Sequence, residues 1–133
     1  MVVTFAGDPD IELFEKMVTP PGVDNGEPVD TTTMHNVDVE TQAPHGLNKV
    51  TSAGMVVAYD PLCLTSILAR CGVEDDITYH YPDGSQWTDR GWLRSFKPNQ
   101  VERRKQPDAV CVIESSCTDS NGDEQEPAHV PAP

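Results

Sequence analysis

The sequence contains no apolar run approaching the ~20 residues that a membrane-spanning helix requires, and no such run follows a basic N-terminus. Neither a membrane partner nor a secretory leader is expected, and the chain is expected to be made and kept in a cytoplasm. Lysine and arginine are scarce, nine against 22 aspartates and glutamates, for a net charge of −13. A body this acidic repels phosphates, which argues against sequence-specific nucleic-acid binding. The four cysteines, Cys63, Cys71, Cys111 and Cys117, include no CxxC pair. Free buried thiols are therefore the default for all but Cys117, with a disulfide the lesser alternative. His35, His45, His80 and His129 include no pair spaced as metal ligands on a helix. There is no glycine-rich phosphate loop and no strand–turn–helix nucleophile elbow. No catalytic residue, cofactor or metal is expected, and an enzyme is the least favoured class.

What is present is 133 residues, 37% of them hydrophobic, which suits one domain with a modest core. Charge is uneven: residues 1–48 carry −8, residues 49–107 carry +1 and residues 108–133 carry −6. A small core with polar, acidic appendages fits a protein that completes its burial against neighbours. It fits equally an ordinary small domain whose acidity serves solubility.

Along the chain, Ile11–Val18 reads as a short strand ended by Pro20-Pro21-Gly22. Asp24-Asn25-Gly26-Glu27 is a turn signal, and the threonines of Pro28–Met34 favour a strand. His35–Asn48, with Pro44 and Gly46, reads as a long inter-strand loop, and loops of that length are usually functional or disordered. Lys49–Tyr59 is a strand whose two faces both become apolar, predicting burial on both sides. The spacing of Leu64, Ile67, Leu68 and Cys71 predicts one α-helix over about 61–71, with Asp60 as cap, Pro61 first and Gly72 just past its end. Arg70 in its last turn complements the helix dipole.

Ile77–Tyr81, the turn Pro82-Asp83-Gly84-Ser85 and Gln86–Phe96 make a hairpin whose return strand is expected to bend at Gly91. Residues 97–107 form a basic connection, and Asp108–Ser115 a last strand buried on both faces. Residues 116–133 read as an acidic, Pro-rich extension with too little apolar surface to fold alone. The expected fold is mainly β, a β-sandwich or half-barrel of about six to eight antiparallel strands with one helix over an opening. The domain is 1–115, with its long loop at 35–48.

Trp87 and Trp92 lie on opposite faces of an unbroken strand; a bulge at Gly91 would bring them together. One is expected in the core. The other, Trp92 among them, is a candidate interface anchor or a sugar platform. Arg103, Arg104 and Lys105 are candidates for pairing with acids on a neighbour. Asp119–Asp123 lacks the ladder of a calcium loop and reads as a solvated turn, and Asp75 and Asp76 as exposed.

The order of several motifs between Val29 and Ser115 resembles the major tail tube proteins of siphophages. These are Val29-Asp30-Thr31-Thr32-Thr33-Met34-His35-Asn36, Ala58-Tyr59-Asp60-Pro61, Tyr81-Pro82-Asp83-Gly84-Ser85 with Arg90-Gly91-Trp92-Leu93-Arg94-Ser95-Phe96, and Gln106-Pro107 before the last strand. The chain departs from the family at Glu102-Arg103-Arg104-Lys105, where an acidic, glycine-containing linker would be expected. The resemblance implies homo-hexameric rings that pool their sheets into a barrel and stack into the virion tail, so that DNA passes through the bore. It implies partners among the tape measure, terminator and tail-tip proteins. Within that reading His35, Asn36, Val37, Asp38, Val39, Glu40, Pro44, His45 and Leu47 form a ring-stacking loop, and Asp38 and Glu40 are candidates for an acidic lumen. Alternatives are a head–tail joining or terminator ring, a capsid decoration protein, or a carbohydrate-binding β-sandwich.

Overall fold

A computed structural model describes residues 2–7, 14–58, 62 and 64–133. The first part of the expected Ile11–Val18 strand, the Asp60 cap, the Pro61 helix start and the Cys63 thiol lie outside the described residues. The strands are β1 (Val2–Phe5), β2 (Glu15–Thr19), β3 (Val23–Asp24), β4 (Val29–Asp30), β5 (Gln42–Ala43), β6 (Lys49–Val50), β7 (Ala53–Ala58), β8 (Asp75–His80), β9 (Gln86–Pro98), β10 (Asp108–Ser115) and β11 (Ala128–Val130). The one described helix, α1 (Leu64–Arg70), separates β7 from β8.

The fold is mainly β, as the sequence leads one to expect. Its main sheet runs β1-β8-β9-β10-β7-β2, with β11 also paired to β9, and every pairing is antiparallel. Strict alternation in the sequence decides which face is buried. Ala53, Met55 and Val57, Ile77 and Tyr79, and Ala109, Cys111 and Ile113 form the core with Val3, Phe5, Leu93 and Ile67 of α1. The sheet is open, but its two terminal strands approach each other. The Val3 N–H of β1 donates to the Glu15 carboxylate of β2 at 3.0 Å. A side chain spans a seam that a further strand would otherwise fill.

The 13-residue β9 organises the rest. Its register against β10 slips between Val112 and Ile113, leaving Arg94 as the extra residue. That bulge puts Leu93, opposite Ile113, and Phe96, opposite Cys111, on the same core side. The irregularity is therefore at Arg94 and not at Gly91. Gly91 answers a different need: a Cβ there would collide with the Glu114 carbonyl oxygen, so only glycine permits the close approach of β10. With no bulge between them, Trp87 packs on the core while Trp92 stands half-buried on the other face.

Over its described residues the helix ends at Arg70, one residue before its sequence pattern, and its apolar stripe is narrower. Ile67 is buried, Leu64 and Cys71 are half-buried and Leu68 is exposed. Gly72 takes the expected left-handed conformation (φ 81°), and its N–H donates to the Leu93 carbonyl at 3.1 Å. Arg70 does more than face the dipole: it pairs with Asp75 and lies 5.5 Å over the Phe5 ring. Asp75 is consequently half-buried rather than exposed.

Residues 116–133 are not a free appendage. The Ser116 N–H donates to the Arg90 carbonyl at 2.9 Å, and β11 pairs Ala128–Val130 with Gln86–Thr88. Between them, Asp119 accepts the N–H groups of Asn121 (2.8 Å) and Asp123 (3.0 Å) and closes a turn over Gly122.

Candidate functional site: an exposed arm

Residues 22–51 leave the main sheet as a projecting arm. At its root the Thr51 N–H donates to the Gly22 carbonyl, and the Gly22 N–H to the Thr51 hydroxyl, both at 2.8 Å. Beyond the root β3 pairs with β6, and farther out β4 pairs with β5. The expected strand over Pro28–Met34 is thus only Val29–Asp30, and the expected loop over His35–Asn48 contains strand β5. Two-residue ladders are what remain when polar and turn-forming residues interrupt every possible alternation.

Side chains, not a core, hold the arm. The Asp24 carboxylate accepts the Gly26 N–H at 2.8 Å, with Gly26 at φ 84°, and the Asp30 carboxylate accepts the Thr32 N–H at 2.9 Å. The Thr32 hydrogen bonds hold the Asp30 carboxyl below its usual range. Asn36 centres the tip: its Oδ1 accepts the Thr33 N–H at 3.1 Å and its Nδ2 donates to the Val39 carbonyl at 2.9 Å. Asn25 does the same nearer the root, donating to the His45 carbonyl at 2.9 Å and to Asn48 at 2.6 Å.

Of the residues the sequence singled out, the arm gathers His35, Asn36, Val37, Asp38, Val39 and Glu40 at its tip and Pro44, His45 and Leu47 on its return. All but Asn36 are exposed. Val37 is 91% exposed and Leu47 74%. Met34, at 102% exposure, and Val39, at 71%, likewise stand clear of any core on this hydrogen-bonded frame. Asp38 and Glu40 flank a shallow hollow at the tip with Thr32, Thr33 and Asn36. A larger cleft of about 380 Å³ lies at the root, between Val23, Leu47 and Val50 of the arm, Trp87, Cys117 and the segment 124–127.

Trp92 and the basic triplet are not brought to the arm. Arg103, Arg104 and Lys105 occupy the connection between β9 and β10, at the opposite end of the sheet. The strand β7 is not buried on both sides as expected: its outer side sets Val56 between Met17 and Val110, and Met17 and Val110 are exposed.

One buried group escaped sequence reasoning. Asp89 is 6% exposed; its Oδ2 accepts the Ser115 hydroxyl at 2.5 Å and the Trp87 indole N–H at 3.4 Å, while Oδ1 has no partner. Burial pushes its carboxyl above the ordinary value. In Thr88-Asp89-Arg90 it looks like a surface residue, and only its shared parity with Trp87 and Leu93 betrays the inward direction. The thiols of Cys71, Cys111 and Cys117 are free, and burial pushes Cys111 up to about 12. Among the described residues no three His, Cys, Asp or Glu side chains gather as a metal site would need.

No protein-family description matches the sequence, and neither does any curated protein. Among solved structures, the fold is similar to a chain of the anti-feeding prophage (AFP) baseplate, determined by cryo-EM and 6-fold symmetrised. The TM-score is 0.63 over 98% of this chain and 90% of that one, at 8% identity. At that identity the two share a fold, and the sequence carries no further kinship.

Proposed function

We propose that this chain is a structural protein of a phage or phage-derived particle that assembles with copies of itself into stacked rings. The finer reading is a tail tube of hexameric rings with DNA passing through the bore, meeting tape measure, terminator and tail-tip proteins along its length. The observation that carries the proposal is the arm: exposed apolar side chains on a pre-shaped frame, which become stable by burial against a neighbour. The fold likeness to a chain of a six-fold baseplate supports a ring-forming role. It also favours a second reading, a single ring at a joining, terminating or baseplate position.

The seam between β1 and β2 bears on how copies could join. Pooling sheets into a shared barrel would require Glu15 to release the Val3 N–H and admit a neighbour's strand. The arm needs no such rearrangement.

Negative-stain microscopy of the concentrated chain separates the readings: long tubes support the tail tube, and discrete rings support the joining or baseplate position. Replacing residues 23–50 by a short glycine linker between Gly22 and Thr51 should leave the circular dichroism of a folded β-protein and abolish stacking. A wild-type chain that stays monomeric when concentrated would overturn the proposal.

A further inference from the structure

The self-assembly proposed above leaves open what fixes the direction in which copies meet. Strand β9 runs the length of the main sheet, and its register places the chain's charges at opposite ends. Ala53 lies opposite Ile113 and Ala58 opposite Asp108, so the arm, which enters at β2 and leaves into β7, projects from the end where β10 finishes. Residues 116–127 lie at that same end, because Glu124–Pro127 and Cys117 line the cleft against the arm's root. The connection 99–107 turns at the other end.

The two ends differ in sign. The arm carries Asp24, Glu27, Asp30, Asp38 and Glu40 against Lys49 alone, and Asp119, Asp123, Glu124 and Glu126 add to that end. The far connection carries Arg103, Arg104 and Lys105 against Glu102. Lys105 is held by Glu102 at 2.8 Å, whereas among the described residues Arg103 and Arg104 have no ion-pair partner. Arg104 stands at φ 66°, a left-handed conformation that glycine or asparagine adopts at lower cost.

The geometry points to a head-to-tail contact in which the basic 103–105 tip of one copy docks on the acidic arm of a second copy. Such a contact is heterologous, pairing two different patches, so it propagates along an axis and gives the assembly a polarity. Opposite potentials steer the encounter and penalise the reversed orientation, in which arm would meet arm. The occupant is a second copy and not nucleic acid, because a tip on a body of net charge −13 approaches DNA against the field of the rest.

The test reverses each patch separately and then both together. The tip variant is Arg103→Glu, Arg104→Glu and Lys105→Glu. The arm variant is Glu27→Lys, Asp38→Lys and Glu40→Lys, which spares Asp24 and Asp30 because their carboxylates close turns. Circular dichroism confirms folding, and light scattering with microscopy reads assembly against concentration and salt. Each single-sided variant should raise the concentration needed for assembly by about tenfold or more, since like charges then face each other. The two variants mixed, or all six substitutions in one chain, should restore assembly, and added salt should weaken the wild type. The inference is overturned if single-sided variants assemble as the wild type does, or if the swapped chain folds but fails to assemble. Retardation of a DNA duplex by the wild type and not by the tip variant would also overturn it, reassigning the tip to phosphate. Failure of the wild type itself to assemble would instead remove the self-assembly reading on which this rests.

Discussion

The curled sheet and the arm are made from one chain by different means. In the sheet, the four longest strands, β7 to β10, run for six to 13 residues and bury side chains such as Ile77, Tyr79 and Ile113 almost completely. In the arm, four two-residue strands bury no side chain fully, with only Ala43 and Val50 half-buried, and Asn25, Asn36, Asp24 and Asp30 substitute hydrogen bonds for a core. The difference teaches that shape and stability are separable here. Hydrophobic burial stabilises the sheet by itself, whereas local polar bonds shape the arm and leave its apolar groups available to something else.

Breaking the sheet should be expensive. Gly91→Ala forces a methyl group into the Glu114 carbonyl and should destabilise the protein by about 3 kcal/mol or more, seen as a fall in the urea midpoint. A change below about 0.5 kcal/mol would mean that the close β9–β10 approach is not maintained in solution.

A subtler probe of the sheet is Asp89. Its folded-state carboxyl is raised above the ordinary 3.8, so the folded protein holds that proton more tightly than the unfolded chain does. The contribution of Asp89 to stability is therefore most favourable at acid pH, and it declines as pH rises from about 3.8 through the raised value, then levels off. Asp89→Asn should remove this decline, measured as the difference between variant and wild-type urea midpoints across that range. An unchanged difference would show that Asp89 is solvated.

The smallest effect on global stability belongs to the arm. Asn36→Ala removes the bonds from Thr33 and to Val39, yet it should shift the global midpoint by no more than about 0.5 kcal/mol. Amide exchange should speed up at Thr33 and Thr41, whose N–H groups depend on the ordered tip, and nowhere in the sheet. Global unfolding on this substitution would erase the distinction between the two regions.

The sheet was largely legible from sequence because its signals are local. Ile77-Thr78-Tyr79 and Ala109-Val110-Cys111 alternate or run apolar, and Asp83-Gly84 supplies the turn, with Gly84 at φ 92°. The arm is legible only as a region: its length and polarity mark it, but β5 looks like loop in the sequence, because Gln42–Ala43 has no pattern until Val29–Asp30 is placed beside it. β11 was hidden for the same reason, since Ala128–Val130 gains strand character only from the distant Gln86–Thr88. The bulge fell at Arg94, where no sequence signal marks it, because pairing with β10 decides which residue is left over. Asp89 was missed because burial follows parity in the finished sheet, and residue type suggested the opposite.

β11 also imposes an order on synthesis. A nascent chain exposes β9 well before Ala128–Val130 exists, so the Gln86–Thr88 stretch of one margin stays unfilled while β8 and β10 are already in place. The cleft at the arm's root waits too, because Glu124–Pro127 form one of its walls. A half-made chain therefore lacks both that wall and the β11 cover on Gln86–Thr88, so the surroundings of Trp87 take their finished form only once Ala128–Val130 have been made.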